Sequence, residues 1–167
     1  MKAAGANLTP VTLELGGKSP CLVDAEVDLE VAAHRIVWGK FLNAGQTCVA
    51  PDYLLVDERI ERPLLAQFEA AIRQFYGPDP HSRPDYPRIV NERHLQRLTA
   101  LLGDGELVCG GQVDAATRYL APTVLRAVSP QSRLMADEIF GPILPVLTVR
   151  DLDEAISRLT ATPPEDQ

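Results

Sequence analysis

The chain has 167 residues, 46% of them apolar and 23% charged, with a formal net charge of −7. That length and balance describe one globular unit that buries about 70% of the surface its unfolded chain exposes. The negative charge, with no cluster of Lys and Arg, argues against nucleic acid and an anionic membrane surface as partners.

Strand and helix patterns alternate along the chain. Residues 11–15 read as a short buried strand and 20–23 as a second. Asp28 is placed as an N-cap with Glu30 in the first turn, opening a helix whose Leu29, Ala32, Ala33, Ile36, Val37 and Phe41 recur at helical spacing. Residues 53–56 form a strand. A helix over 58–76 turns Leu64, Leu65, Phe68, Ile72 and Phe75 inward and stops at Gly77-Pro78. The four prolines of 78–87, with no apolar pattern, mark an exposed loop. A third helix, 92–102, faces Leu95, Leu98 and Leu102 inward. Strands follow at 106–109, 119–125 and 143–149, and a last helix starts over 152–159. Helices between strands require crossover connections, so the predicted fold class is α/β with a largely parallel sheet.

Three cysteines, Cys21, Cys48 and Cys109, stand at irregular spacing with no CxxC, and the three histidines form no ligand motif with them. Neither a disulfide framework nor a metal site is expected. Free thiols fit a reducing, cytoplasmic setting. The first residues lack the apolar run of a signal peptide, and no window is long and apolar enough for a membrane span.

Cys48 differs in setting from the other two. The helical pattern before it breaks at Gly45, which puts the thiol on a turn at the helix mouth, with Gln46 and Thr47 expected to surround the sulfur with polar groups. Cys21 in an apolar strand and Cys109 before Gly110-Gly111 read as structural. Lys18 reads as a solvated strand-end lysine, and Trp38 and Phe41 as core residues of the helical stripe. His34, His81 and His94 are scattered, which argues against a Cys–His hydrolase pair.

Three segments carry a resemblance: Glu14-Leu-Gly-Gly-Lys-Ser-Pro20, Gly45-Gln-Thr-Cys-Val-Ala-Pro51 and Glu138-Ile-Phe-Gly-Pro142. In that order, with 34 positions from Glu14 to Cys48 and 90 from Cys48 to Glu138, they resemble the signatures of the aldehyde dehydrogenase superfamily. Pro51-Asp52-Tyr53 and Pro130-Gln131-Ser132 are similar to its class 3 branch. The resemblance runs from about Ala3 to about Ile156. It implies NAD- or NADP-dependent oxidation of an aldehyde to a carboxylic acid, with Cys48 as nucleophile and Glu14 as the general base that activates water. It also implies cofactor contacts from Leu15, Gly16, Glu138 and Phe140, with Glu138 on the ribose hydroxyls, and an oxyanion donor in the Cys48 backbone N–H. The chemistry suits these side chains. A thiolate adds readily to a carbonyl and leaves again from a thioester, and a carboxylate can take a proton from water.

The same resemblance divides the chain into a remnant of a nucleotide-binding domain and linker strand at 1–15, a partial catalytic domain at 16–158, and a divergent, disordered tail at 159–167. In the family a nucleotide-binding domain with most dinucleotide contacts precedes the first motif, and further strands follow the last. The expectation is therefore a truncated central segment of an enzyme that is homodimeric at full length. A catalytically inactive product, unstable or associating with full-length subunits, is the alternative.

Overall fold

A computed structural model of the chain describes residues 1–161. A short helix, α1 (Lys2–Ala6), buries none of its residues and is followed by an exposed segment. The body of the fold then runs β1 (Pro20–Val23), α2 (Leu29–Phe41), β2 (Tyr53–Asp57), α3 (Glu61–Tyr76), α4 (Glu92–Leu101), β3 (Glu106–Cys109), β4 (Val113–Asp114), β5 (Tyr119–Leu120), β6 (Thr123–Arg126), α5 (Arg133–Ala136), β7 (Ile143–Val149) and α6 (Leu152–Ala161). Five strands form one sheet in the order β1-β2-β7-β6-β3. The first three pairings are parallel, and β3 joins β6 antiparallel at the edge. β4 and β5 make a separate small hairpin. The largely parallel α/β sheet expected from the sequence is the observed architecture.

Both faces of the sheet are covered, which is why its strands are nearly continuous apolar runs. Alternate residues divide between the two faces. Leu54, Val56, Val124, Leu144 and Val146 meet Ala33, Ile36, Val37 and Phe41 of α2 and Leu64, Phe68 and Ile72 of α3. Leu55, Leu125, Ile143, Leu147 and Val149 belong to the opposite cluster, with Leu95, Leu98 and Leu101 of α4 and Ala155 of α6. Asp28 caps α2, its carboxylate accepting the Val31 N–H at 3.0 Å. Asn91 does the same for α4 at the His94 N–H, 2.9 Å.

Several expectations fail for identifiable reasons. Residues 11–15 are not a strand: Val11, Leu13 and Leu15 are exposed and no neighbouring strand offers a ladder. Alternation without a partner edge leaves backbone groups to water. The strand expected over 119–125 divides at Ala121-Pro122, because proline has no N–H to donate to a ladder. α3 starts at Glu61, since the Asp57 carboxylate takes the Arg59 N–H at 2.9 Å and holds a turn before it. Trp38 is 58% exposed and lies off the buried stripe, whereas Phe41 is fully buried. The loop over 78–87 is not wholly exposed: Tyr86 is buried and its hydroxyl donates to the Leu120 carbonyl at 3.1 Å. Of the tail expected from 159, residues 159–161 complete α6, and the rest lie outside the described residues.

Candidate active site

Cys48 lies past the C-terminal end of α2, which is followed by a tight turn over Leu42–Gly45 that contains left-handed backbone. Asn43, Ala44 and Gly45 all have positive φ, at 54°, 52° and 71°. A side chain on Gly45 would also collide with the Gly141 carbonyl, so position 45 needs glycine for both conformation and space. The Ala50 N–H then closes on the Thr47 carbonyl at 3.1 Å, leaving Cys48 and Val49 exposed on the turn. Among the described residues no group accepts a hydrogen bond from the Cys48 backbone N–H. Gln46 does not surround the sulfur as expected. Its amide donates to the Asn43 and Arg88 carbonyls, both at 3.2 Å, and its oxygen accepts the Val90 N–H at 2.9 Å, so it staples the turn to the segment leading into α4.

The segment from Asp137 to Gly141, just before β7, touches both of the other motifs. Gly16, at φ +91°, has the Glu138 Oε2 2.5 Å from where a Cβ would stand, so the carboxylate occupies the space the missing side chain leaves. Gly45 meets Gly141. Lys18 pairs with Asp52 and donates to the Asp137 carbonyl at 3.0 Å. Asp52, 4% exposed, also accepts the Ile139 N–H at 3.0 Å, while its own N–H reaches the Ser19 carbonyl at 2.8 Å. From α4, Arg97 donates to the Ile139 carbonyl, and His94 Nε2–H to the Phe140 carbonyl at 2.7 Å. These bonds hold Phe140 at φ +50°, a conformation that non-glycine residues rarely take.

Electrostatics follow burial. Lys40 is 1% exposed and its ammonium is pushed down to about 8, first by loss of water and then by the nearby Lys18 charge; the Asp52 and Glu138 carboxylates offset part of this. Burial lowers His94 below the usual imidazole range, with the Arg97 charge adding to it against the Phe140 hydrogen bond. Burial raises Cys21, and raises Cys109 to about 11, which suits structural thiols.

A cleft of about 1220 Å³ is lined by Leu15, Gly16, Lys18 and Glu138 together with Leu55, Leu147 and Leu159. Three of the four residues expected at a cofactor therefore share it. Phe140 instead opens on a second hollow of about 600 Å³, with His94 and Arg97. Glu14 and Cys48 line neither. Glu14 is exposed on the irregular segment before β1, without a hydrogen bond or ion pair among the described residues. Lys18 is not a solvated strand-end lysine, since its side chain is 20% exposed and paired. Asp52 was marked only as part of Pro51-Asp52-Tyr53, Lys40 only by nearness to the second motif, and the roles of His94 and Arg97 had no sequence signal. Among the described residues no group of three His, Cys, Asp or Glu converges as a metal site would require.

Comparison with known proteins places these features in a family context. Residues 1–163 match the family described as "Aldehyde dehydrogenase family". The chain is 52% identical over 157 residues to "Aldehyde dehydrogenase family 3 member A2" of Mus musculus, covering 94% of this chain and 32% of that protein. It is 53% identical over 156 residues to "Aldehyde dehydrogenase, dimeric NADP-preferring" of Canis lupus familiaris, covering 93% and 34%. The solved substrate-bound state of Staphylococcus aureus AldH superposes with a TM-score of 0.89 at 50% identity, covering 95% of this chain and 35% of that one. The chain thus spans about a third of the length of the relatives it matches.

Proposed function

The chain belongs to the aldehyde dehydrogenase family, and on that premise we propose that it carries the carbonyl-capturing thiol and the ribose-binding carboxylate of an NAD(P)-dependent aldehyde oxidation. The observation that carries this reading is the meeting of three distant motifs on one segment: Gly16 against Glu138, Gly45 against Gly141, and Lys18 with Asp52 on the peptides around Glu138.

The thiolate of Cys48 adds to the aldehyde carbon, forming the S–C bond and an oxyanion that the uncommitted Cys48 N–H can stabilise. When bound, the nicotinamide supplies the acceptor for the hydride that leaves this carbon. Glu138 would hold the cofactor by accepting hydrogen bonds from its ribose hydroxyls. A partly buried carboxylate opening on a cleft beside a side-chain-free glycine fits a diol. Leu15 and Gly16 line the same cleft and would face the cofactor, whereas Phe140 borders the separate hollow with His94 and Arg97. Glu14 takes a proton from the water that opens the Cys48 thioester, the thiolate leaves, and the acid is released.

Class 3 resemblance supports medium or long aliphatic and aromatic aldehydes as substrates. The canine relative's description supports NADP as well as NAD, and homodimers for full-length relatives. Free thiols support a cytoplasmic setting.

A second reading is that this chain by itself does not turn over. It is favoured by Glu14 and Cys48 lying outside the cleft that holds Glu138. Fluorescence titration with NADH and NADPH tests the first reading: Glu138→Gln weakens binding about tenfold, one lost charged hydrogen bond, and equal affinity contradicts it. An aldehyde oxidation assay on the purified chain tests the second, which predicts no cofactor reduction; sustained turnover overturns it.

A further inference from the structure

The backbone around Glu138 is gripped in an unusually specific way. The orientation of any residue is set by the two peptide planes that meet at its Cα. For Glu138 one of these carries the Asp137 carbonyl, which accepts from Lys18 Nζ at 3.0 Å. The other carries the Ile139 N–H, which donates to Asp52 Oδ1 at 3.0 Å. Lys18 and Asp52 are themselves paired through the second carboxylate oxygen of Asp52. A single ion pair therefore holds both planes that bracket Glu138, one through its cation and the other through its anion. Asp52 is 4% exposed, so this pair is largely shielded from water, and its charge also faces the buried Lys40. Lys18 belongs to the first motif and Asp52 directly follows the second, while the residue they bracket comes from the third.

We propose that Lys18 and Asp52 are positioning residues that together lock the peptide planes on either side of Glu138 and so aim its carboxylate into the cleft. Neither is assigned contact with cofactor or substrate; they act through Glu138. The functional consequence rests on the reading of Glu138 as the ribose carboxylate. The mechanical claim stands on the geometry. The rival description is an ion pair that merely ties β1 to β2, which would stabilise the sheet as a whole.

Amide hydrogen exchange and NADH titration on the 167-residue chain separate these. Lys18→Met removes the cation. Asp52→Asn keeps an acceptor for the Ile139 N–H but removes the charge that holds Lys18. Lys18→Arg restores charge and donors. The expected result is that Lys18→Met and Asp52→Asn speed exchange at the Ile139 amide, the one N–H of this segment that Asp52 holds, by about tenfold. Strands β2 and β7 keep wild-type rates, and Lys18→Arg recovers most of the protection. NADH affinity falls by a factor similar to that of Glu138→Gln. Wild-type exchange at Ile139 in both variants overturns the clamp, as does a loss of protection spread evenly over the sheet. Local loosening with an NADH affinity indifferent to Glu138→Gln supports the clamp and overturns the ribose reading. Absence of NADH binding to the wild-type chain bears on that reading alone, because exchange still decides the clamp.

Discussion

Lys40 illustrates how one residue's setting becomes measurable. Its ammonium is 1% exposed, and burial holds it at about 8 instead of its ordinary 10.5. The native state therefore releases this proton before the unfolded chain does. Between pH 8 and 10.5 the unfolded state binds more protons, so stability rises with pH across that window and the full cost of the buried charge is present below it. The cost is on the order of 3 kcal/mol, taking about 1.4 kcal/mol per unit. Urea unfolding of the chain and of Lys40→Met from pH 7 to 10 should show the wild type gaining on the variant as pH rises. Parallel curves would contradict the burial of a charged lysine there. Nothing in the sequence marked Lys40, because it sits in a helical stripe that tolerates any long side chain. Asp52 was marked only as part of Pro51-Asp52-Tyr53; its pairing was not legible, because its partners are a lysine 34 residues earlier and a peptide 87 residues later. Cys48, by contrast, was legible from its motif and from the glycine that breaks the helix before it.

At the scale of elements, what could be read was what depends on local periodicity. α2, α3 and α4 have apolar stripes and polar or glycine boundaries, and their buried residues are largely those expected. Partners were not readable. Residues 11–15 alternate as a strand does yet lie exposed beside a sheet that gives them no edge. The turn after α2 was foreseen at Gly45, but not its two left-handed predecessors, Asn43 and Ala44. This turn sets the distance between the thiol segment and the Glu138 segment, so its integrity should be measurable. Gly45→Ala places a side chain at φ +71° and against the Gly141 carbonyl. Left-handed backbone alone costs about 1–2 kcal/mol, and the collision adds to it, so a loss of at least roughly 2 kcal/mol is expected in urea unfolding. Gly103→Ala, where a Cβ meets nothing, should stay within about 0.5 kcal/mol. Similar losses for the two would remove the case for close approach at Gly45.

For the molecule as a whole, acid should be the weak side. Hydrogen bonds from Arg59 hold Asp57 down to about 2, and those from Arg150 and Arg158 hold Glu154 to about 2. These pairs contribute stability that is fully present above the ordinary carboxylate range and is lost as pH falls through the lowered values. Thermal unfolding followed from pH 7 to 2 should show the steepest loss below about pH 4; a flat profile would contradict it. The fold class was legible because alternating strand and helix patterns leave few arrangements other than a parallel sheet with crossover helices. The chemistry was legible only through three motifs in order, which the fold then brings onto one segment before β7. At the centre of the proposed chemistry, Cys48 captures a carbonyl with help from its own backbone N–H. The most direct test is carbon-13 NMR of the chain with a carbonyl-labelled aliphatic aldehyde. The expected result is a thiohemiacetal signal that vanishes in Cys48→Ser, survives serine at Cys21 and Cys109, and reflects binding roughly tenfold tighter than to an unstructured peptide of residues 45–51, one hydrogen bond's worth. A signal that persists in Cys48→Ser, or an affinity no better than the peptide's, would contradict it.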